Sequence, residues 1–380
     1  MQKIIPNFSI SSVLALLSFI LIFDTPARAQ QTSKPNVIAY YTGNGTEIDK
    51  YPIEKLSHLI YSFGHLKGDS MYIHNAKDSA LIAQMVGLKK RNPELKIMLA
   101  MGGWSACPNC SEVFSRAKGR ETFAKTTKSL LDFFHADGID IDWEYPAVEG
   151  YPGHLYTVED KFHFTALIKE LRKTLGKKAE ISFAAGGSKN CIDSCFEWKK
   201  VMPLVDRVNL MSYDLVNGYA TISGHHTPLF STPEQKLSAD YAIKEMIAYG
   251  VPKAKIALGA AFYAKVFTNS TESNNGLYQP TKYTYGTSFR NFTKDFSTEK
   301  GFRYYWDDVA KAPYFYNAET KTIASFDDAK SLAFKTNYVI DNKLNGIMFW
   351  ELNDDTYTDG LLDAIDLTIK AAKNTKSSDK

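Results

Sequence analysis

The chain has 380 residues, and its 45 Lys and Arg side chains nearly balance its 42 Asp and Glu side chains, giving a formal net charge of +3. Charges of both signs are interspersed, which argues against a surface that binds nucleic acid. The near-neutral charge is compatible with binding an uncharged polymer. The length suffices for one large α/β barrel of about 250 residues with insertions. The sequence shows no internal repeat and no long low-complexity linker, so we expect one main domain.

The first residues have the features of a secretion signal. Lys3 supplies positive charge, residues 13–23 are apolar apart from Ser18, and Ala27-Arg28-Ala29 fits a cleavage site between small residues. The apolar stretch is shorter than the roughly 20 residues of a membrane span, so cleavage is favoured over a retained anchor. We therefore predict a signal peptide at residues 1–29 and a secreted product, either extracellular or periplasmic.

Short apolar runs then alternate with longer helical stretches, which is typical of a parallel sheet with crossover helices. One helical stretch, residues 120–135, places four apolar side chains on one face: Phe123, Leu130, Leu131 and Phe134. Eight strands are predicted, at residues 37–41, 59–63, 97–101, 138–142, 180–184, 207–211, 256–259 and 346–350. Their number fits a closed (β/α)8 barrel, in which chemistry takes place at the C-terminal ends of the strands.

A long insert separates the seventh and eighth predicted strands. It covers about residues 268–325 and is rich in Tyr, Phe, Gly and polar residues. Because such length is uncommon for a plain connection, we predict a small lobe over one side of a cleft. The predicted domain at residues 30–373 is followed by a polar tail, residues 374–380, which is expected to be disordered.

The four cysteines occur as two local pairs, Cys107 with Cys110 and Cys191 with Cys195. Two local disulfides are the expected arrangement in an exported protein. A zinc site shared by all four thiolates is the alternative, and it would require both loops to meet in space. The spacing does not determine the connectivity.

Three acidic residues, Asp140, Asp142 and Glu144, alternate with apolar residues in the run DGIDIDWEYP at residues 137–146. On a strand they line one face, about 6–7 Å apart, so their titrations are coupled. Unpaired buried carboxylates are destabilising, which makes a purely structural strand an unfavourable explanation. A metal cluster is disfavoured because no His accompanies the acids, and a solvated edge strand because the other face is apolar.

This run matches the D-x-x-D-x-D-x-E signature of family 18 of the glycoside hydrolases, the chitinase family, which the chain resembles over nearly everything after the leader. Further segments fit the family in the same order: Ala39-Tyr40-Tyr41, Met101-Gly102-Gly103-Trp104, Met211-Ser212-Tyr213-Asp214, Leu258-Gly259-Ala260-Ala261-Phe262-Tyr263 and Gly346-Ile347-Met348-Phe349-Trp350-Glu351. The resemblance implies a TIM barrel with a small α+β insertion between strands 7 and 8, and no cofactor or metal.

The resemblance also implies a retaining reaction in which the substrate supplies its own nucleophile, the 2-acetamido carbonyl oxygen. Glu144 would protonate the glycosidic oxygen, with a pKa raised by its neighbours and by partial burial. Asp142 would orient the acetamido N–H and stabilise the oxazolinium ion, while Asp140 shares a proton with it. Tyr213 would donate to the acetamido oxygen.

Trp350 resembles the family's indole floor beneath the distorted sugar. Weaker substrate-lining positions, with core packing as the alternative, are Tyr40, Phe63, Trp104, Tyr145, Met211, Asp214 and Tyr263. Structural roles are expected for Asp137, Gly102 and Gly103. No family role transfers to His225-His226, which is expected to be structural in its loop.

Two positions depart from the family pattern. Ala100 replaces a serine whose hydroxyl would lie near Asp140, which puts the resting hydrogen bonds of the acid pair in doubt. Lys265 replaces an arginine after the seventh strand, and lysine lacks the bidentate fork of arginine. Contacts to the leaving-group sugars are therefore expected to differ.

The resemblance favours a monomeric secreted chitinase acting on chitin or chitooligosaccharides, with endo action favoured over exo action. Such a protein is expected to bind no nucleic acid and, once the signal peptide is removed, no membrane. A non-catalytic, lectin-like chitin-binding relative is the rival from another class, but such relatives typically lose the acid or the aspartate before it. An endo-β-N-acetylglucosaminidase acting on N-glycans is the rival among hydrolases.

Overall fold

A computed structural model describes residues 1–2, 34–269 and 271–378. The apolar stretch and cleavage site of the predicted signal peptide lie outside these residues. Within the described part, no helix is both long enough and apolar enough to cross a membrane.

The main sheet closes on itself. Its first eight strands are β1 (Asn36–Tyr41), β2 (His58–Lys67), β3 (Ser70–Tyr72), β4 (Lys96–Gly102), β5 (Gly138–Asp142), β6 (Glu180–Gly186), β7 (Arg207–Met211) and β8 (Ile256–Ala261). After five strands of the insert comes the ninth, β14 (Gly346–Trp350). All of these except β3 pair in parallel, and β1 contacts both β14 and β2, which closes an eight-stranded barrel. The predicted (β/α)8 fold is confirmed.

Helices surround the barrel, except for α8 (Phe292–Asp295), which lies in the insert. They are α1 (Ala76–Gly87), α2 (Cys110–Ser115), α3 (Ala117–Phe134), α4 (Asp160–Leu175), α5 (Lys189–Ser194), α6 (Trp198–Val201), α7 (Ala239–Ala248), α8 (Phe292–Asp295), α9 (Ala329–Asp341) and α10 (Leu361–Ser378). Helix α3 ends where His135 adopts a left-handed conformation with φ 56°. Its buried stripe includes Phe123, Leu131 and Phe134.

The last helix extends into the segment predicted to be a polar tail. Helix α10 continues to Ser378 and so includes residues 374–378. Once a helix is nucleated, each further residue adds a backbone hydrogen bond, so a polar sequence can extend it.

The insert forms a second, antiparallel sheet. Its strands are β9 (Tyr263–Asn269), β10 (Thr281–Ser288), β11 (Arg303–Asp307), β12 (Ala312–Asn317) and β13 (Thr322–Ser325), in the order β10-β9-β13-β12-β11. The lobe begins at Tyr263, five residues before the predicted start, because Phe262 alone separates β8 from β9.

A buried ion pair fastens the C-terminal end of this lobe to the barrel. Asp327 accepts hydrogen bonds from the Ala261 backbone N–H at 3.0 Å and from Lys335 Nζ at 2.6 Å, and neither charged side chain is exposed. The lobe is thereby held at the C-terminal end of β8, where barrel chemistry is located.

The cysteine expectation is met for one pair and not for the other. Cys107 and Cys110 form a disulfide beside α2. Cys191 and Cys195 are free, buried thiols on and directly after α5, so the predicted second disulfide is absent from this structure. Both pack in the main hydrophobic core as small apolar side chains.

Candidate active site

The acidic row begins inside the barrel and ends at its mouth. Asp140 is fully buried, Asp142 is 4% exposed, and Glu144 lies half-buried just beyond the end of β5. The alternate residues Ile139 and Ile141 pack outwards against the helix layer, as the strand pattern predicts. The carboxylates therefore rise along one inward face towards the C-terminal end of the barrel.

Asp140 is held by three hydrogen-bond donors. Tyr40 donates its hydroxyl at 2.7 Å, Ser182 donates at 2.5 Å, and Asn209 Nδ2 donates at 3.0 Å. Burial raises the pKa of Asp140, and these donors oppose that rise. Side chains from other strands thus replace the hydroxyl that is missing at Ala100 and hold Asp140 in place.

Asp142 and Glu144 both favour their protonated forms. Burial, followed by the charges of Glu144 and Asp140, raises the pKa of Asp142 well above its usual range. Its Oδ1 atom is buried and meets no hydrogen-bond donor in the described part of the chain. Burial also raises the pKa of Glu144 to about 8, with the charge of Asp214 adding to the rise and Tyr145 opposing it. Glu144 can therefore carry a proton at neutral pH, as a general acid requires.

Tyr213 and Trp350 lie around the acids. Tyr213 is 8% exposed, and its hydroxyl contacts the sulfur of Met348 at 3.8 Å. Burial and the charges of Asp142 and Glu144 raise the pKa of Tyr213, so the phenol remains a donor. Trp350 stacks on Phe63 with ring centroids 5.6 Å apart.

Asp214 carries an anion beside Glu144. Its Oδ1 accepts a hydrogen bond from Tyr263 at 2.5 Å, pairs with Lys265 Nζ at 3.2 Å and lies 3.5 Å from His226 Nδ1. Burial alone would raise the pKa of Asp214, but these partners hold it below its usual value. The site thus combines a proton donor with a neighbouring fixed negative charge.

Residues 36–355 match the family described as Glycosyl hydrolases family 18. The chain belongs to this family. It is 34% identical over 300 residues to chitinase A1 of Niallia circulans, covering 72% of this chain and 42% of the relative. It is 30% identical over 325 residues to chitotriosidase-1 of Mus musculus, covering 79% and 67%. The chain therefore spans less than half the length of the Niallia protein.

Solved structures agree with this family assignment. A family 18 N-acetylglucosaminidase from Paenibacillus barengoltzii superposes with a TM-score of 0.80 at 32% identity, covering 88% of this chain and 99% of that one. Chitinase ChiA74 from Bacillus thuringiensis gives 0.82 at 26% identity, covering 89% and 70%.

Other predicted positions of this family 18 chain differ in accessibility. Tyr40 is 1% exposed and donates to Asp140, so it supports the acid row and cannot line a sugar-binding surface. Met211 is 8% exposed beside Tyr213, whereas Trp104 is 40% exposed and Tyr145 contacts it with ring centroids 6.2 Å apart. Of these four residues, Trp104 alone is exposed, and Tyr145 is partly buried beside it.

The predicted structural residues have identifiable contacts. Gly102, with φ 120°, lies so close to the Asp142 carbonyl that a Cβ atom would come within 1.9 Å of the oxygen. Gly103, with φ 94°, would bring a Cβ within 2.8 Å of the Phe63 ring. Asp137 Oδ2 accepts from the Ile97 backbone N–H at 2.7 Å, directly before β5 begins. Any side chain at either glycine would displace the acid strand or the floor of the site.

Sequence reasoning missed several supporting residues. Ser182 and Asn209 are uncharged polar residues inside β6 and β7, and their positions between apolar neighbours were the available signal. His225 contacts Asp307 of the lobe at 3.0 Å, which suits the expected structural role. The same structural role is expected for His226, but His226 is fully buried against Asp214 and Tyr263 and so lies within the site.

Metal ligation has no geometric basis in the described residues. No group of three or more His, Cys, Asp or Glu side chains there is arranged to hold an ion. Cys107 and Cys110 are joined to each other, which removes two of the four thiolates that a shared zinc site would need.

Proposed function

We propose that this family 18 protein is an exported chitinase that hydrolyses β-1,4 linkages between N-acetylglucosamine units of chitin and chitooligosaccharides. One observation carries the proposal: Glu144, with its pKa raised to about 8, ends a row of carboxylates at the mouth of the barrel. The names of the chitinase relatives support the substrate class.

The first step breaks the glycosidic bond. Glu144 donates its proton to the leaving oxygen while the substrate's acetamido carbonyl oxygen attacks the anomeric carbon, so the bonding electrons leave with the departing sugar. The result is a cyclic oxazolinium ion and a shortened chain. A protein carboxylate nucleophile is disfavoured because the raised pKa of Asp142 leaves it poorly ionised.

The residues below and beside the acid stabilise the ion. The three donors on Asp140 oppose the burial that raises its pKa, whereas Asp142 Oδ1 meets no donor in the described residues, so the proton of the acid pair is assigned to Asp142. As positive charge develops, the proton shared by the pair passes to Asp140, and Asp142, now a carboxylate, accepts the acetamido N–H and offsets the charge of the ion. Tyr213 donates to the acetamido oxygen and holds it against the anomeric carbon.

The second step returns the enzyme to its starting state. The Glu144 carboxylate removes a proton from a water molecule, whose oxygen attacks the anomeric carbon on the face from which the first sugar left. Because each of the two displacements inverts the anomeric carbon, the product retains the β configuration.

The proposal of export is based on the leader sequence, and the proposal of endo action is based on the cleft. The charged start, apolar stretch and Ala27-Arg28-Ala29 support secretion. We infer endo action, since the mouth is flanked by a lobe and by an exposed aromatic surface at Trp104. The Paenibacillus relative is named an N-acetylglucosaminidase, so single sugars released from chain ends would instead indicate exo action.

The test compares the wild type with Glu144→Gln on N-acetyl-chitohexaose. We expect the wild type to release short oligosaccharides, and the variant to lose at least about 100-fold in turnover while still binding the hexamer. Wild-type binding without cleavage would favour a lectin-like protein. Cleavage of N-glycans but not of the hexamer would refute the substrate assignment.

A further inference from the structure

Aromatic rings form a continuous row outwards from the catalytic acid. Tyr145, next to Glu144 in sequence, contacts Trp104, and Trp104 contacts Tyr151 with ring centroids 5.9 Å apart. Tyr151 in turn lies 5.0 Å from the ring of His154. Trp104 is 40% exposed and Tyr151 is 38% exposed. Large aromatic surfaces left open beside a catalytic site mark a place where a ligand binds.

The loop that carries Tyr151 is fixed to the catalytic strand. Gly150 packs on Glu144 so closely that a Cβ atom would lie 2.1 Å from the Glu144 carbonyl oxygen. The His154 backbone N–H donates to the Tyr151 carbonyl at 3.0 Å, which forms a turn directly after the ring. Tyr151 is therefore held at a defined distance from the acid.

The far end of the same loop is also anchored. Asp160 is fully buried, and it accepts hydrogen bonds from the Thr157 backbone N–H at 2.8 Å and from Ser111 at 3.0 Å. A loop tied at both ends presents a preorganised surface, which lowers the entropic cost of binding a ligand there.

We propose that Tyr151, supported by His154, forms an outer subsite for an N-acetylglucosamine unit on the leaving-group side of the cleaved bond. This subsite lies farther from Glu144 than the sugar unit that Trp104 would contact. The proposal rests on the proposed function and deepens it. A flat aromatic face matches the C–H face of a pyranose, and the phenol adds a hydrogen-bonding edge.

The position of the aromatic row indicates on which side of the cleaved bond it binds sugar. Glu144 protonates the leaving oxygen, and its sequence neighbour Tyr145 begins the row. Trp350, the floor beneath the sugar that is attacked, has its ring contacts with Tyr40 and Phe63 and with no ring of the row in the described residues. The row therefore extends away from the sugar that forms the oxazolinium ion.

The test uses two substrates that differ in reach. N-acetyl-chitohexaose extends into an outer leaving-group subsite, whereas an aryl N,N′-diacetylchitobioside ends in one small phenol. We expect Tyr151→Ala to lower kcat/KM on the hexaose about tenfold, equivalent to ~1.4 kcal/mol. The same variant should change kcat/KM on the aryl substrate less than twofold. Tyr151→Phe, which keeps the ring, should behave as the wild type within about threefold.

Phe162→Ala provides the matched control, because Phe162 is an exposed aromatic residue of α4, the helix that follows the loop, and lies outside the ring row. It should leave both substrates unchanged. Equal loss on both substrates with Tyr151→Ala would indicate a structural role and overturn the subsite, as would an unchanged hexaose rate. A wild type that cleaves neither substrate would refute the proposed function, and the subsite with it.

Discussion

Asp214→Asn tests how the site maintains a protonated acid at neutral pH. Burial raises the pKa of Glu144 to about 8, and the charge of the Asp214 anion contributes to that rise. Removing this anion also leaves Lys265, now 3.2 Å from Asp214 Oδ1, without its carboxylate partner. Both changes favour the Glu144 carboxylate, so the variant should lower the pKa of Glu144.

The size of the shift follows from Coulomb's law. For charges within about 4–6 Å of each other, the range over which neighbours shift a pKa, an effective dielectric constant of about 20 gives roughly 3–4 kcal/mol, or about 2–3 pKa units. The Asp214 side chain is 44% exposed and shares its charge with Lys265, so solvent and pairing reduce the effect to about 1 unit.

The assay is the pH dependence of kcat/KM on N-acetyl-chitohexaose. Its alkaline limb reports the free enzyme's general acid, because activity is lost as that group deprotonates. We expect the limb near pH 8 in the wild type and about 1 unit lower in Asp214→Asn. Lys265→Met removes only the cation and should move the limb upwards. A limb that stays in place or rises in Asp214→Asn would refute the electrostatic reasoning.

Three further variants probe separate contacts. Tyr213→Phe should lower kcat about 100-fold, since it removes a transition-state donor, and should leave the thermal unfolding temperature unchanged; equal kcat would contradict its role. Lys335→Met should cost about 3–5 kcal/mol in denaturant unfolding because it leaves Asp327 as a buried unpaired anion, so a loss under about 1 kcal/mol would contradict it. His226→Phe should lower the alkaline limb of kcat/KM by about 0.5 pH unit, because it removes the contact with His226 that holds the Asp214 side chain in place. An unmoved limb would mean that His226 has a structural role only.

The barrel was predictable because its strands are buried on both faces and read as short apolar runs. Predicted strands at residues 138–142, 207–211 and 346–350 coincide with β5, β7 and β14. The start of the lobe was not predictable, because a single residue, Phe262, joins two strands of different sheets and no turn signal marks the change.

The cysteines show why spacing alone misleads. Cys107 and Cys110 lie at an irregular turn into α2, where their Cα atoms come within 5.4 Å. Cys191 and Cys195 have similar spacing, but they flank a helical turn within the core, where the surrounding apolar side chains favour two small buried thiols. The difference arises from tertiary packing, which the local sequence does not contain.

The site was predictable where its residues are contiguous. The acid row follows from alternation along one strand, whereas Ser182 and Asn209 lie 42 and 69 residues from Asp140 and reach it only through barrel closure. His226 is likewise brought to Asp214 by a loop whose sequence carries no strand or helix pattern. Isolated polar residues of this kind need the fold before a role can be assigned.

The central claim is that Glu144 protonates the leaving group while the substrate's own acetamido oxygen forms the oxazolinium ion. The most direct test is proton NMR of N-acetyl-chitohexaose hydrolysis at early times, before the product anomers equilibrate. Newly formed reducing ends are expected to be β-anomers in the wild type, and product formation is expected to be lost in Glu144→Gln. New reducing ends of the α configuration would contradict substrate assistance, and β-anomers formed at an undiminished rate by Glu144→Gln would contradict the assignment of the acid.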